Sequence, residues 1–261
     1  MYWGYLSKTV SIKNAFEDSK KGVFEIEGLF AGYGLTVGNA LRRVLLSSLP
    51  GAAVTQIKVK GISHEFATLP GMKEDVVELM LNFKKLRFQM NVDEAQTLTL
   101  KVKGEKVVTA GDIKTSSNVE VLNPDEVIAH LTEKNADLDI EIRVERGLGY
   151  SSVESRKEED KLAIGTVAID AFFSPVTNVS YTVENMRIGD RTDYNRLKLE
   201  VETDGSISPS SALHKSANIL NDHFKVISEV AVEEFGVGED NASDKPKTKK
   251  STKAKKEEKE E

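Results

Sequence analysis

Residues 32–51 read Gly-Tyr-Gly-Leu-Thr-Val-Gly-Asn-Ala-Leu-Arg-Arg-Val-Leu-Leu-Ser-Ser-Leu-Pro-Gly. Three glycines make a turn-rich approach to a helix. The Thr36 hydroxyl can accept from an orphan amide of the first turn, so Thr36 is the expected N-cap. The helix then runs through Asn39–Leu46, and Pro50-Gly51 stops it. Within it Val37, Leu41 and Val44 recur at helical spacing with Leu45 beside them, forming an apolar seam. Arg42 and Arg43 are adjacent, so they point about 100° apart and cannot share a face. One can pair locally while the other projects from the edge of the seam.

A second seam lies near the other end of the chain. Ser208-Pro209 supplies an N-cap and a first-turn proline. Leu213, Ala217, Leu220, Phe224 and Ile227 then follow at heptad spacing, with Ala212, Ile219, Val226 and Val230 widening the apolar surface. A helix with two apolar faces usually touches its own sheet and something else. Both seams could be core alone, or the two helices could meet a second copy of the chain.

Between these helices the sequence reads mostly as strands. Val10–Phe16, Val23–Leu29, Ala53–Val59, Leu86–Met90, Leu98–Val102, Val119–Leu122, Leu138–Val144 and Thr166–Phe173 have strand character, several with strict alternation. Lys73–Phe83 is expected to be a helix with an acidic first turn, and Pro124–Leu131 a short one. Ser152–Asp160 is charged enough to be an exposed loop. Val179–Ile188 and Leu197–Val201 should pair as a hairpin across residues 189–193. The fold class expected is α+β.

Length and composition are those of a globular chain of 261 residues with net charge −6. The segment Val237–Glu261 carries 8 Lys against 7 acidic residues, net +1, leaving net −7 on the rest. A body that acidic disfavours broad binding to a nucleic-acid backbone and favours protein partners. The Lys/Glu segment lacks aromatic and β-branched runs and is expected to be disordered. Its lysines could touch nucleic acid or an acidic protein face, or simply aid solubility. There is no cysteine, so disulfides and thiolate chemistry are excluded. No stretch approaches the roughly 18 apolar residues needed to span a bilayer. The first residues lack a secretory pattern, so a cytoplasmic location is expected.

Catalytic motifs are weak. Gly32-x-Gly34-x-x-x-Gly38 resembles a phosphate-binding turn but is one residue longer than the dinucleotide fingerprint. Lysines (Ile57-Lys58-Val59-Lys60) also stand where an acid would be expected. An NADP-type oxidoreductase remains a reading of this turn, beside a tight turn with close helix packing. The four histidines lack a metal-pair spacing. Glu158-Glu159-Asp160 reads as a solvated charge run rather than an acid/base pair. No metal, cofactor or catalytic residue is expected.

The stretch 34–51 resembles the signature helix of the alpha subunit of bacterial and plastid RNA polymerases. Gly61-Ile-Ser-His-Glu-Phe, the run 73–84, Val108–Ile113, Arg146-Gly-Leu-Gly-Tyr150, Ile169–Val176 and Arg191-Thr-Asp193 agree in order. The resemblance implies a discontinuous dimerisation domain, residues 1–50 and 177–236, made of a sheet and two long helices. It implies an inserted, mostly β domain over 51–176 that binds the large subunits, with 237–261 as the disordered tail.

It also implies a homodimer whose interface holds Val37, Leu41, Val44, Leu213, Ala217, Leu220, Phe224 and Ile227. Arg43, Leu46, Glu78, Lys84, Ile169 and Asp170 would face the two large catalytic subunits, of beta and beta-prime type. The chain would then be a non-catalytic polymerase subunit in the cytoplasm, touching DNA only within the complex and no membrane. The family usually continues into a small helical carboxy-terminal domain, and nothing foldable is expected after Gly236. A stand-alone dimeric adaptor is the remaining alternative.

Overall fold

The computed structural model describes residues 9–62, 64–156 and 165–230. The elements run β1 (Ser11–Glu17), β2 (Lys21–Leu29), α1 (Tyr33–Ser47), β3 (Pro50–Val59), α2 (Val76–Lys85), β4 (Phe88–Met90) and β5 (Gln96–Lys103). They continue with β6 (Lys106–Thr109), β7 (Ile113–Lys114), β8 (Val119–Val121), β9 (Val127–Leu131), β10 (Asp137–Leu148), β11 (Tyr150–Ser151) and α3 (Val153–Arg156). The last are β12 (Thr166–Ala168), β13 (Ala171–Phe172), β14 (Val176–Ile188), β15 (Arg191–Thr203) and α4 (Pro209–Ser228). The fold class is α+β, with mostly antiparallel sheets and few helices.

Two hydrophobic cores form, and the chain enters the first twice. Strands from both ends make one four-stranded antiparallel sheet in the order β1-β2-β15-β14. Alternation aims Phe24 and Ile26 from β2, and Leu197, Leu199 and Val201 from β15, at one face. Leu41 and Leu45 of α1 and Ala212 and Leu213 of α4 cover that face. The opposite face carries Glu25, Glu27, Arg196, Lys198 and Glu200: Arg196 pairs across to Glu27 at 3.0 Å, and Lys198 stands opposite Glu25 and 3.9 Å from Glu200 of its own strand.

The second core belongs to a seven-stranded sheet ordered β7-β5-β10-β3-β4-β8, with β12 on β3. Leu138, Ile140, Ile142 and Val144 of β10 are fully buried, as the strict alternation of that run requires. Leu79 and Phe83 of α2 join them in the same core. Asp75 caps α2, accepting from the Glu78 amide at 2.7 Å.

Four local expectations are corrected. Thr36 is not the N-cap: α1 starts at Tyr33 after Gly32, which adopts φ 86°, and the Thr36 hydroxyl reaches back to the Gly32 carbonyl. Residues 127–131 form a strand, not a helix, because Val107, Val108 and Thr109 offer β9 a ladder partner. The run Thr166–Phe173 breaks into two strands at Ile169 and Asp170: the Ile169 amide still bonds Thr55 of β3, while its carbonyl turns to the Arg156 guanidinium and the Asp170 carboxylate to the Val153 amide. The hairpin connection shrinks to Gly189-Asp190, since Arg191 already pairs with Ile188. Of the expected charged loop, Val153–Arg156 is a helical turn; Glu158-Glu159-Asp160 and the segment 237–261 lie outside the described residues.

Candidate docking surfaces

The glycine turn is filled from within the fold. Gly34 and Gly38 face the sheet; a Cβ would stand 2.7 Å from Val183 at Gly34 and 2.8 Å from Tyr181 at Gly38. The first amides of α1 are also occupied. Asn195 of β15 accepts from Gly32 N–H at 2.9 Å and from Gly34 N–H at 3.4 Å, and donates to Asn185 at 3.2 Å. Those amides are the ones a phosphate would need. The motif is therefore a close-packing turn, and the Gly32, Tyr33 and Gly34 amides that a phosphate would approach first already have partners within the fold. Asn195→Ala should leave both amides without this partner and cost about 1–3 kcal/mol in urea denaturation, with no change in elements.

The seam residues divide in two. Leu41 and Leu213 are buried in the chain's own core, Val37 and Leu220 are half-buried against it, and Val44 is half-buried. Ala217, Phe224 and Ile227 are exposed. Past Leu220 the helix runs beyond the sheet it rests on, so Phe224, Val226, Ile227 and Val230 are 60–68% exposed. Isolated exposed apolar residues are ordinary, but consecutive turns of them mark a contact surface.

A second surface begins at the C-terminal end of α1. Arg43 is exposed and Leu46 half-buried. The Ser174 hydroxyl donates to the Leu46 carbonyl at 3.1 Å, fastening α1 to the strand leading into β14. The backbone beyond β10 passes beside that end, with the Gly149 carbonyl accepting from Phe173 N–H at 2.8 Å. Leu148, Tyr150 and Phe172 project there, 41–60% exposed.

Further along, Lys84 of α2 lies 5.9 Å above the Tyr150 ring and 3.7 Å from the Asp170 carboxylate. The Val153 amide donates to Asp170 at 3.0 Å. That amide, then the Tyr150 hydroxyl and the Lys84 ammonium, hold the Asp170 carboxyl below its usual value against a smaller opposing effect of burial. Asp170 is thus a fixed anion at neutral pH.

Ile169, by contrast, is buried. Its amide donates to Thr55 and its carbonyl accepts from the Arg156 guanidinium, so it aims Asp170 rather than facing outward. Glu78 and Lys84 border one shallow hollow with Leu81 and Arg87. The structure therefore gathers Lys84, Asp170 and Tyr150 in one cluster, with Arg43 and Leu46 at the α1 end.

Sequence reasoning did not single out Phe66 or Tyr150 as contact residues. Phe66 is 76% exposed and lines a cleft with Val77, Met80, Tyr150 and Asp170. Periodicity does not mark either residue, because both stand outside the regular helices and long strands. Among the described residues no group of three or more acidic or histidine side chains could hold a metal, and no helix is long and apolar enough to cross a membrane.

Residues 56–174 match the family described as the RNA polymerase Rpb3/RpoA insert domain. The chain is 50% identical over 209 residues to the DNA-directed RNA polymerase subunit alpha of Moorella thermoacetica, covering 80% of this chain and 66% of that one. It is 47% identical over 217 residues to the same subunit of Alkaliphilus metalliredigens, covering 83% and 68%. With that of Syntrophomonas wolfei it shares 50% over 212 residues, covering 81% and 67%. The chain thus spans about two thirds of the length of the curated relatives it matches.

Proposed function

Because this chain belongs to the alpha-subunit family of DNA-directed RNA polymerase, we propose that it pairs with a second copy of itself and scaffolds the two large catalytic subunits. Residues 1–50 and 177–236 act as the dimerisation unit and residues 51–176 as the inserted large-subunit-binding unit. The carrying observation is the apolar half of α4 that overhangs its own sheet. Covering each such side chain contributes roughly 1.5–3 kcal/mol, enough in sum to hold a dimer. Ala217, Leu220, Phe224 and Ile227, with Val37 and Val44, form the contact, while Leu41 and Leu213 support it from beneath.

Arg43, Leu46, Glu78, Lys84 and Asp170, joined by Tyr150 and Phe66, form the surface for the beta- and beta-prime-type subunits. Arg offers a planar fork for bidentate contacts, and aromatics supply anchors. A symmetric dimer presents this surface twice, and each copy engages a different large subunit. The chain itself is non-catalytic; it works in the cytoplasm and approaches DNA only through the assembly.

A tagged chain recovered from its host should bring down two large polymerase subunits, one of each per two copies. Recovery of the chain alone would overturn the reading. Arg43→Ala should leave the dimer unchanged in sedimentation while large-subunit capture weakens at least tenfold, about 1.4 kcal/mol, because Arg43 is exposed and carries no core packing.

A further inference from the structure

A crevice of about 290 Å³ lies where the two cores meet. Lys215 of α4 lines it from the four-stranded side. Arg146 of β10, with Gln89 and Asn91 at the end of β4, lines it from the seven-stranded side. No acidic side chain among the described residues lines it, although acidic residues outnumber basic ones in the chain, 42 to 36. Among the described residues the side chains of Lys215, Gln89 and Asn91 make no hydrogen bond or ion pair. Arg146 donates to Asp93 at 2.7 Å, and that carboxylate is 87% exposed. Such an exposed pair is weak and exchanges readily.

We propose that this crevice binds a phosphate-bearing anion. Two cations from separate units on one crevice, with Gln89 and Asn91 also on its wall, supply charge and donors for tetrahedral oxyanions. The volume is below that of a drug-sized site, so it suits phosphate or pyrophosphate rather than a nucleotide base and sugar. The bound anion bridges α4 to β10. It thereby adds a second electrostatic tie between the units beside the Arg87–Asp204 contact at 3.8 Å. This goes beyond the scaffold reading and stands whether or not the large subunits bind.

The test is calorimetric titration of inorganic pyrophosphate into the full chain, with Lys215→Gln, Arg146→Gln and their combination as variants. Lys198→Gln, on the opposite face of the four-stranded sheet, is the control. Wild type and control should give saturable binding at one site per chain. Lys215→Gln should bind more weakly, and the double variant at least tenfold more weakly. The lysines of 245–259 are the same in every variant, so binding by that segment would leave all titrations alike. Equal binding in wild type and double variant, or no saturation in wild type, overturns the proposal. Lys215 is exposed and has no partner among the described residues, so the single variant keeps the test valid if Arg146→Gln disturbs the fold.

Discussion

A chain carrying Phe224→Asp and Ile227→Asp should be a folded monomer of 28.8 kDa at micromolar concentration, where wild type should sediment as the proposed dimer. Both side chains are more than half exposed in the protomer, so the substitutions spare its core. Closing the proposed interface over two unpaired carboxylates would cost several kcal/mol for each. Every 1.4 kcal/mol is a tenfold change in dissociation constant, so the shift should exceed about a thousandfold. Circular dichroism should be unchanged. A dimer that persists would move the interface elsewhere. Leu220→Asp is a poorer probe, since Leu220 is half-buried against the protomer's own core, and a monomer could then reflect damaged folding.

The largest loss of stability is expected from Gly51→Ala. The added carbon would stand 1.9 Å from the Phe173 carbonyl oxygen, inside backbone that cannot swing aside. Gly51 pairs with Gly147 across β3 and β10, and a carbon at Gly147 would meet the Phe173 ring at 2.7 Å. The two glycines thus form a bare patch over which the chain returning to the first sheet passes. Forcing that chain away should cost more than about 3 kcal/mol, or a fall in Tm of about 6–12 °C. Gly111→Ala, where the new carbon meets nothing closer than 3.4 Å, should melt nearly as wild type. Equal melting of the two variants would show that the Phe173 segment yields.

Much of this was legible in residue order. The alternation of 138–144 and 197–201 gave strands whose inward residues are buried, and Ser208-Pro209 marked the start of α4. The helix at 32–51 was also plain, but its cap was not. Its first amides are held by Asn195, 163 residues away from Gly32, and no local pattern announces a partner so distant. The strand at 127–131 failed for the same kind of reason: its ladder with β6 overrides a helical-looking local pattern. Of the docking residues, the Arg42-Arg43 pair was readable as offering a projecting cation, and only the family resemblance singled out Arg43. The burial of Ile169 and the grouping of Tyr150 with Lys84 and Asp170 depend on where the chain crosses itself. The crevice between the cores is likewise a product of tertiary crossing.

The Asn195 cap also fixes an order of events during synthesis. When α1 leaves the ribosome, the strand that caps its amides and the strand that covers its glycines have not yet been made. Neither have Leu197, Leu199 and Val201, which complete its core. The entire seven-stranded sheet, from Pro50 to Ala168, is translated in between and can close on its own contacts. Residues 11–47 must therefore wait as an incomplete hairpin and an uncovered helix. A nascent chain halted before residue 191 should present that apolar face to chaperones, whereas one halted after α4 should not.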